Sequence, residues 1–187
     1  MQTSAFVRRS VIPAGMALLL ASGAASAEQV SGRINVLLTL TNGCVINSVG
    51  GTDGASGLEF GTINFGSLPV HFSRVDAALI GSVGSGISVQ CSNGNDSPKL
   101  TFDSGLHANL GIRQMTNGLT SLAYRLYKDA INGTEITTSG GGNSISLGVG
   151  GISQTVKIFA RAENDAAGTE YLTAGLYSDT IGVTLDF

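Results

Sequence analysis

The chain predicts an all-β fold, an antiparallel sandwich of short strands. Nearly every readable segment alternates apolar and polar residues with period two, the signature of strands with one buried face. Turn signals separate these segments: Asn42-Gly43, Gly50-Gly51, Asn93-Gly94, Asn117-Gly118, Asn132-Gly133 and the run Gly140 to Gly142. Composition agrees, with 27 glycines, 12% charged residues and no tryptophan. No segment shows a convincing helical period, and no Pro/Ser-rich linker divides the chain.

The first 27 residues read as a secretory signal. Arg8 and Arg9 supply the positive end, Val11 to Ala21 the apolar run, and Ala25-Ser26-Ala27 the small-x-small cleavage site. The run is too short for a membrane span. Cleavage leaves 160 of 187 residues, a suitable size for one domain. With Arg8 and Arg9 gone, eight basic side chains face thirteen acidic ones, a net charge of −5. Nucleic acid and anionic membrane call for basic patches, so neither is expected as a partner.

The expected mature chain opens on Glu28 to Thr41. Val30, Gly32, Ile34, Val36, Leu38 and Leu40 take one face; Ser31, Arg33, Asn35 and Thr39 take the other, with Leu37 the exception. A strand of 12 to 14 residues reaches roughly 40 Å at 3.3 Å per residue, about twice a typical strand. A long apolar strand at a chain end needs a groove, in its own sheet or in a neighbour's.

Cys44 and Cys91 follow. In an exported protein a lone pair is most simply a disulfide, the alternative being two buried free thiols. Further strands are expected at Leu58 to Phe65, Ile87 to Cys91, Leu100 to Phe102, Leu122 to Tyr127, Ile145 to Val149, and Val156 to Ala160. Val75 to Ile80 fits a helical turn or another strand. The last strand, Thr180 to Phe187, buries Ile181, Val183, Leu185 and Phe187.

Catalytic chemistry finds little support. His71 and His107 have no His or Cys at metal-ligand spacing, and no Gly-x-Ser-x-Gly elbow sits between a strand and a helix. Gly148-Val149-Gly150-Gly151 lacks the lysine of a phosphate loop. Asp103 and Asp129 fall at strand ends, where Asp closes turns. No enzyme activity, metal or cofactor is expected. Tyr124, Tyr127, Tyr171 and Tyr177 admit a sugar-stacking platform, although Tyr124 alternates with core residues and Tyr177 suits a strand edge.

Taken together, these stretches resemble the major pilin subunits of archaic chaperone–usher pili, the spore coat protein U domain family. The resemblance runs through Gly32-Arg33-Ile34-Asn35-Val36 to Leu40 and Thr41-Asn42-Gly43-Cys44. It continues in Phe60-Gly61-Thr62-Ile63-Asn64-Phe65-Gly66 and Ile87-Ser88-Val89-Gln90-Cys91. It closes with Leu122 to Asp129, Ala174 to Thr180 and Val183-Thr184-Leu185-Asp186-Phe187. It implies an incomplete immunoglobulin-like antiparallel sandwich, completed by a donor strand from a neighbouring subunit. The implied organisation is a signal peptide (1–27), a donor-strand extension (28–41) and a pilin domain (42–187). Val30, Ile34, Val36, Leu38 and Leu40 would fill the groove, Gly32 would allow close backbone approach, and Cys44 and Cys91 would match the family disulfide. The implied partners are identical or related subunits in a head-to-tail polymer, a periplasmic chaperone and an outer-membrane usher, with no cofactor. The implied place is a cell-surface pilus, reached through the periplasm and serving attachment and biofilm formation. Family tip subunits carry an added adhesin domain, so a shaft or adaptor subunit is expected. The alternatives are a monomeric exported carbohydrate-binding β-sandwich and a spore or capsule coat component.

Overall fold

The computed structural model describes residues 30–92, 97–164 and 171–187. The expected signal, Glu28, and the Asn93-Gly94 turn lie outside the described residues. The chain forms two units, one ending at Leu38 and one from Thr39 to Phe187.

Within the second unit the described residues form strands and no helix, as expected. In chain order the strands are β1 (Gly43–Ile46), β2 (Val49–Thr52), β3 (Thr62–Ile63), β4 (Arg74–Gly81), β5 (Gly84–Ser85), β6 (Ile87–Cys91) and β7 (Lys99–Phe102). They continue with β8 (Gln114–Thr116), β9 (Ser121–Lys128), β10 (Thr134–Ile136), β11 (Ser144–Ser146), β12 (Gln154–Val156), β13 (Ile158–Glu163) and β14 (Val183–Asp186). One sheet runs β12-β6-β1-β2; a second runs β10-β9-β13-β4-β3, with β5 on β4 and β8 on β9; a third runs β11-β7-β14. Every strand-to-strand ladder is antiparallel.

Alternation explains the single core they enclose. Ile87, Val89 and Cys91 of β6, Leu100 and Phe102 of β7, and Leu122, Tyr124 and Leu126 of β9 are all buried. Cys44 and Cys91 lie directly opposite each other across β1 and β6 and are disulfide-bonded.

Val75 to Ile80 takes the strand of its two expected readings, because β4 finds partners on both edges, β13 and β3. Several boundaries differ from the sequence expectation, each for a local reason. The expected strand from Leu58 to Phe65 shrinks to β3. The expected strand from Val156 to Ala160 breaks at Lys157, so that β12 joins the first sheet and β13 the second. Of the expected Thr180–Phe187 strand only Val183–Asp186 forms a ladder, paired to β7. Gly50-Gly51 is not a turn but part of β2. The two-residue hairpin turn is Asn47-Ser48, with φ of 49° and 70°, the mirror-image geometry that suits twisted hairpins. Asn42-Gly43 is no turn either. A Cβ on Gly43 would lie 2.7 Å from the Gly51 carbonyl oxygen, so this glycine serves close approach inside the hairpin.

Asn47, only 2% exposed, is a hub that the sequence reading missed. Its side chain donates to the carbonyls of Glu59 (3.3 Å) and Phe60 (3.0 Å) and accepts from the Ser88 amide (3.0 Å), tying the hairpin to β6 and to the run before β3.

On the second sheet Arg161 of β13 grips Asp76 of β4 with two hydrogen bonds (2.6 and 2.8 Å) and donates to Asn132 (2.6 Å). The Arg161 hydrogen bond holds the Asp76 carboxyl below its ordinary value of 3.8. A lowered folded value means stability that is present above the unfolded value and lost as pH falls through the folded one. Asp76→Asn is therefore expected to flatten the fall in thermal midpoint on acidification below about pH 4, read by circular dichroism melts across pH.

Candidate functional site

Two surfaces lack the partners their sequences call for. The first is the leading segment. Val30, Ile34, Val36, Leu38 and Leu40 are at least 81% exposed, as is Leu37. Residues 30–42 join no ladder among the described residues. Alternation supplies a strand's pattern, but a strand needs neighbouring backbone to bond. Gly32 sits in this stretch with nothing within 4 Å of a Cβ placed on it.

The second surface is the C-terminal edge. β14 pairs only with β7 and closes its sheet, leaving the other side without a ladder among the described residues. The run before it is extended too. Ser178 pairs with Thr116, the Thr180 carbonyl accepts from Leu106 (3.1 Å), and the Gly182 carbonyl accepts from Asp103 (2.9 Å). Tyr177, Ile181, Val183 and Leu185 pack against the core yet stay half-exposed, and Phe187 is exposed. Inward-pointing side chains of a covered strand are normally buried, so this edge is an uncovered part of the core. Phe187 was expected on the buried face; it lies beyond the last ladder residue and is 44% exposed.

A polar clip sets this edge in place, one that no sequence motif announces. Asp179, with a side chain 4% exposed, accepts from the amides of Leu106 (3.0 Å) and His107 (3.2 Å), bonds His107 Nδ1 (3.0 Å) and accepts from the Tyr124 hydroxyl (2.6 Å). Burial, reinforced by the Asp179 carboxylate, pushes the Tyr124 phenol above its ordinary value, which keeps it protonated as the donor. Asp103 Oδ1 accepts from Gly105 and Gly182, both at 2.8 Å. Asp103 thus closes a turn, as expected, and also holds the strand's start. Beneath them Arg113 is 3% exposed and donates to the carbonyls of Asp103, Ile136 and Thr137. Burial lowers its affinity for its proton, yet a guanidinium remains charged in proteins.

Among the described residues, His107 bonds Asp179 and no nucleophile, and no three His, Cys, Asp or Glu side chains gather as a metal site. A pocket beside Arg113 and Tyr124 measures ≈ 30 Å³, room for about one water, against the several hundred Å³ typical of ligand sites. Of the four tyrosines, Tyr124 and Tyr127 are buried and the Tyr177 hydroxyl bonds Thr120 and Thr173, leaving Tyr171 as the exposed ring. No described helix is long and apolar enough to cross a membrane.

Comparison with known families supplies the decisive observation: the Spore Coat Protein U domain matches residues 30–184. The chain belongs to the Spore Coat Protein U domain family. The match begins in the exposed leading segment, at Val30, and ends at Thr184, inside β14. No curated protein matches it. Among solved structures it is similar to the CsuC–CsuE chaperone–tip adhesion subunit pre-assembly complex from archaic chaperone–usher Csu pili of Acinetobacter baumannii, at 21% identity and a TM-score of 0.45. That alignment covers 80% of this chain and 41% of the other, so the chain spans about two fifths of its length. It is also similar to the P pilus rod subunit PapA, at 21% identity and a TM-score of 0.43, covering 67% of this chain and 90% of that one.

Proposed function

We propose that this chain is a structural pilin subunit that polymerises by donor-strand complementation. The leading segment of one copy lies along the β14 edge of the next, its Val30, Ile34, Val36, Leu38 and Leu40 covering the half-exposed stripe. The observation that carries the reading is a complementary pair among the described residues: an apolar segment that joins no ladder there, and an edge strand whose core-facing side chains stay half-exposed. Their lengths agree, since Val30–Leu40 and Tyr177–Phe187 both run eleven residues, roughly 36 Å extended. Five large apolar side chains at ~1.5–3 kcal/mol each give a gross gain of roughly 8–15 kcal/mol per junction before ordering costs. A head-to-tail contact of this kind builds a fibre rather than a closed ring.

Family membership supports the rest of the proposal. The subunit passes the periplasm on a chaperone that covers the groove, is handed to an outer-membrane usher, and joins a cell-surface pilus as a shaft or adaptor subunit for attachment and biofilm formation. Its role is structural, not catalytic.

Electrophoresis of the secreted protein tests the proposal. Unboiled samples are expected to show a ladder of multimers that collapses to one band after boiling in detergent. A chain with Glu28–Thr41 repeated after Phe187 through a short linker, and deleted from its original place, is expected to run as a stable monomer without a chaperone. A single band under both conditions, with no benefit from the fusion, means that the leading strand does not serve a neighbour.

A further inference from the structure

We infer a second contact between successive copies: the Gly148–Ser153 loop of the donating copy docks on an apolar end formed by Leu119 and Leu176 of the recipient. This inference rests on the strand-complementation reading and adds a surface that the donor strand does not touch.

Chain connectivity fixes where the donating body must lie. Every strand ladder among the described residues is antiparallel, the slightly more stable pairing, and a donor laid antiparallel along Tyr177–Phe187 brings its Leu40 end beside Tyr177. Only Thr41, Asn42 and Gly43 separate Leu40 from Cys44, which is bonded to Cys91 inside the body. Four residue steps span at most about 14 Å. The Cys44–Cys91 end of the donating body is therefore held against the Tyr177 end of the recipient.

Each of these ends carries exposed apolar side chains. On the donating body, Gly151 donates to the Cys91 carbonyl (2.8 Å) and accepts from Gln90 (3.2 Å), which fixes the loop beside the disulfide. Val149 and Ile152 of that loop are 58% and 66% exposed. On the recipient, Leu119 and Leu176 are 80% and 86% exposed. They stand on a hydrogen-bonded frame. The Asn117 side chain accepts from the amides of Leu119 (3.0 Å) and Thr120 (2.9 Å) and donates to Thr173 Oγ1 (2.8 Å), while Thr120 Oγ1 bonds the Tyr177 hydroxyl. Prepaid ordering of this kind lowers the cost of docking, and the short tether raises the effective concentration of the second copy.

Cysteine trapping in assembled fibres tests the contact. The pairs Leu176→Cys with Ile152→Cys, and Leu119→Cys with Val149→Cys, are introduced separately and oxidised. Boiled non-reducing gels are expected to show covalent multimers that a reductant collapses, while each single substitution, and Val83→Cys with Ile152→Cys, gives one band. An unboiled ladder without covalent multimers from either pair overturns the docking contact and leaves strand complementation standing. No unboiled ladder from the native chain overturns strand complementation, and the docking contact with it.

Discussion

Leu38→Asp is expected to abolish the boiling-sensitive ladder, and Leu37→Asp to leave it intact. In an extended strand the two side chains point to opposite faces, so one enters the groove and its neighbour faces out. Leu38→Asp loses the ~1.5–3 kcal/mol of a buried leucine and drives a carboxylate into an apolar slot, where an unpaired charge costs several kcal/mol more. Against a gross gain of roughly 8–15 kcal/mol, before ordering costs, that is enough to lose the junction. Leu37→Asp pays neither cost. Gel ladders from the two variants, expressed with the chaperone, decide the matter. Reversed effects place the register one residue away from the alternation of Val30 to Leu40, because a one-residue slip moves every side chain to the other face, and equal effects mean that this register is wrong.

Asp179→Ala is expected to lower the stability of the self-complemented fusion by about 3–5 kcal/mol, and Tyr124→Phe by about 1–2. Asp179 receives two amides, the His107 ring and the Tyr124 hydroxyl while almost fully enclosed. Its loss strands these groups, whereas Tyr124→Phe removes one donor and leaves the carboxylate its other partners. For a chain of this size each kcal/mol moves the melting midpoint by about 2–4 °C, so Asp179→Ala is expected to melt about 10 °C lower. The double variant is expected to melt close to Asp179→Ala alone, since the two residues share one bond. Additive losses would mean that the Tyr124 hydroxyl acts through other groups.

Much of the fold was legible because alternation reports burial directly. β6, β7 and β9 fall where period two places them, and the cysteines pair across β1 and β6. The errors share a cause: periodicity shows that a residue can sit in a strand, not that a partner strand continues beside it. Leu58 to Phe65 therefore yields only β3, and the final strand forms a ladder over Val183–Asp186 while its preceding residues lean on isolated hydrogen bonds. Turn position was misplaced where glycine served close packing, as at Gly43, while Asn47-Ser48 took the left-handed turn. The apolar stripe of the leading segment was readable. The clip was not, because Asp103, Arg113 and Asp179 are isolated polar residues in sequence, and only tertiary contact joins them.

The placement of the disulfide matters most when the chain is pulled. Tension applied through the leading segment enters the body at Gly43 and meets a covalent bond one residue later, at Cys44. β1 cannot be unzipped from β6 from that end. The load passes into Cys91 and so into β6, which is flanked by β1 on one side and β12 on the other and whose Ile87 and Val89 are among the most deeply buried side chains. Force that would otherwise peel a four-residue edge hairpin is spread across a central strand. In the proposed fibre the body would act as a link in tension, cross-linked within the subunit and joined to its neighbour without a covalent bond.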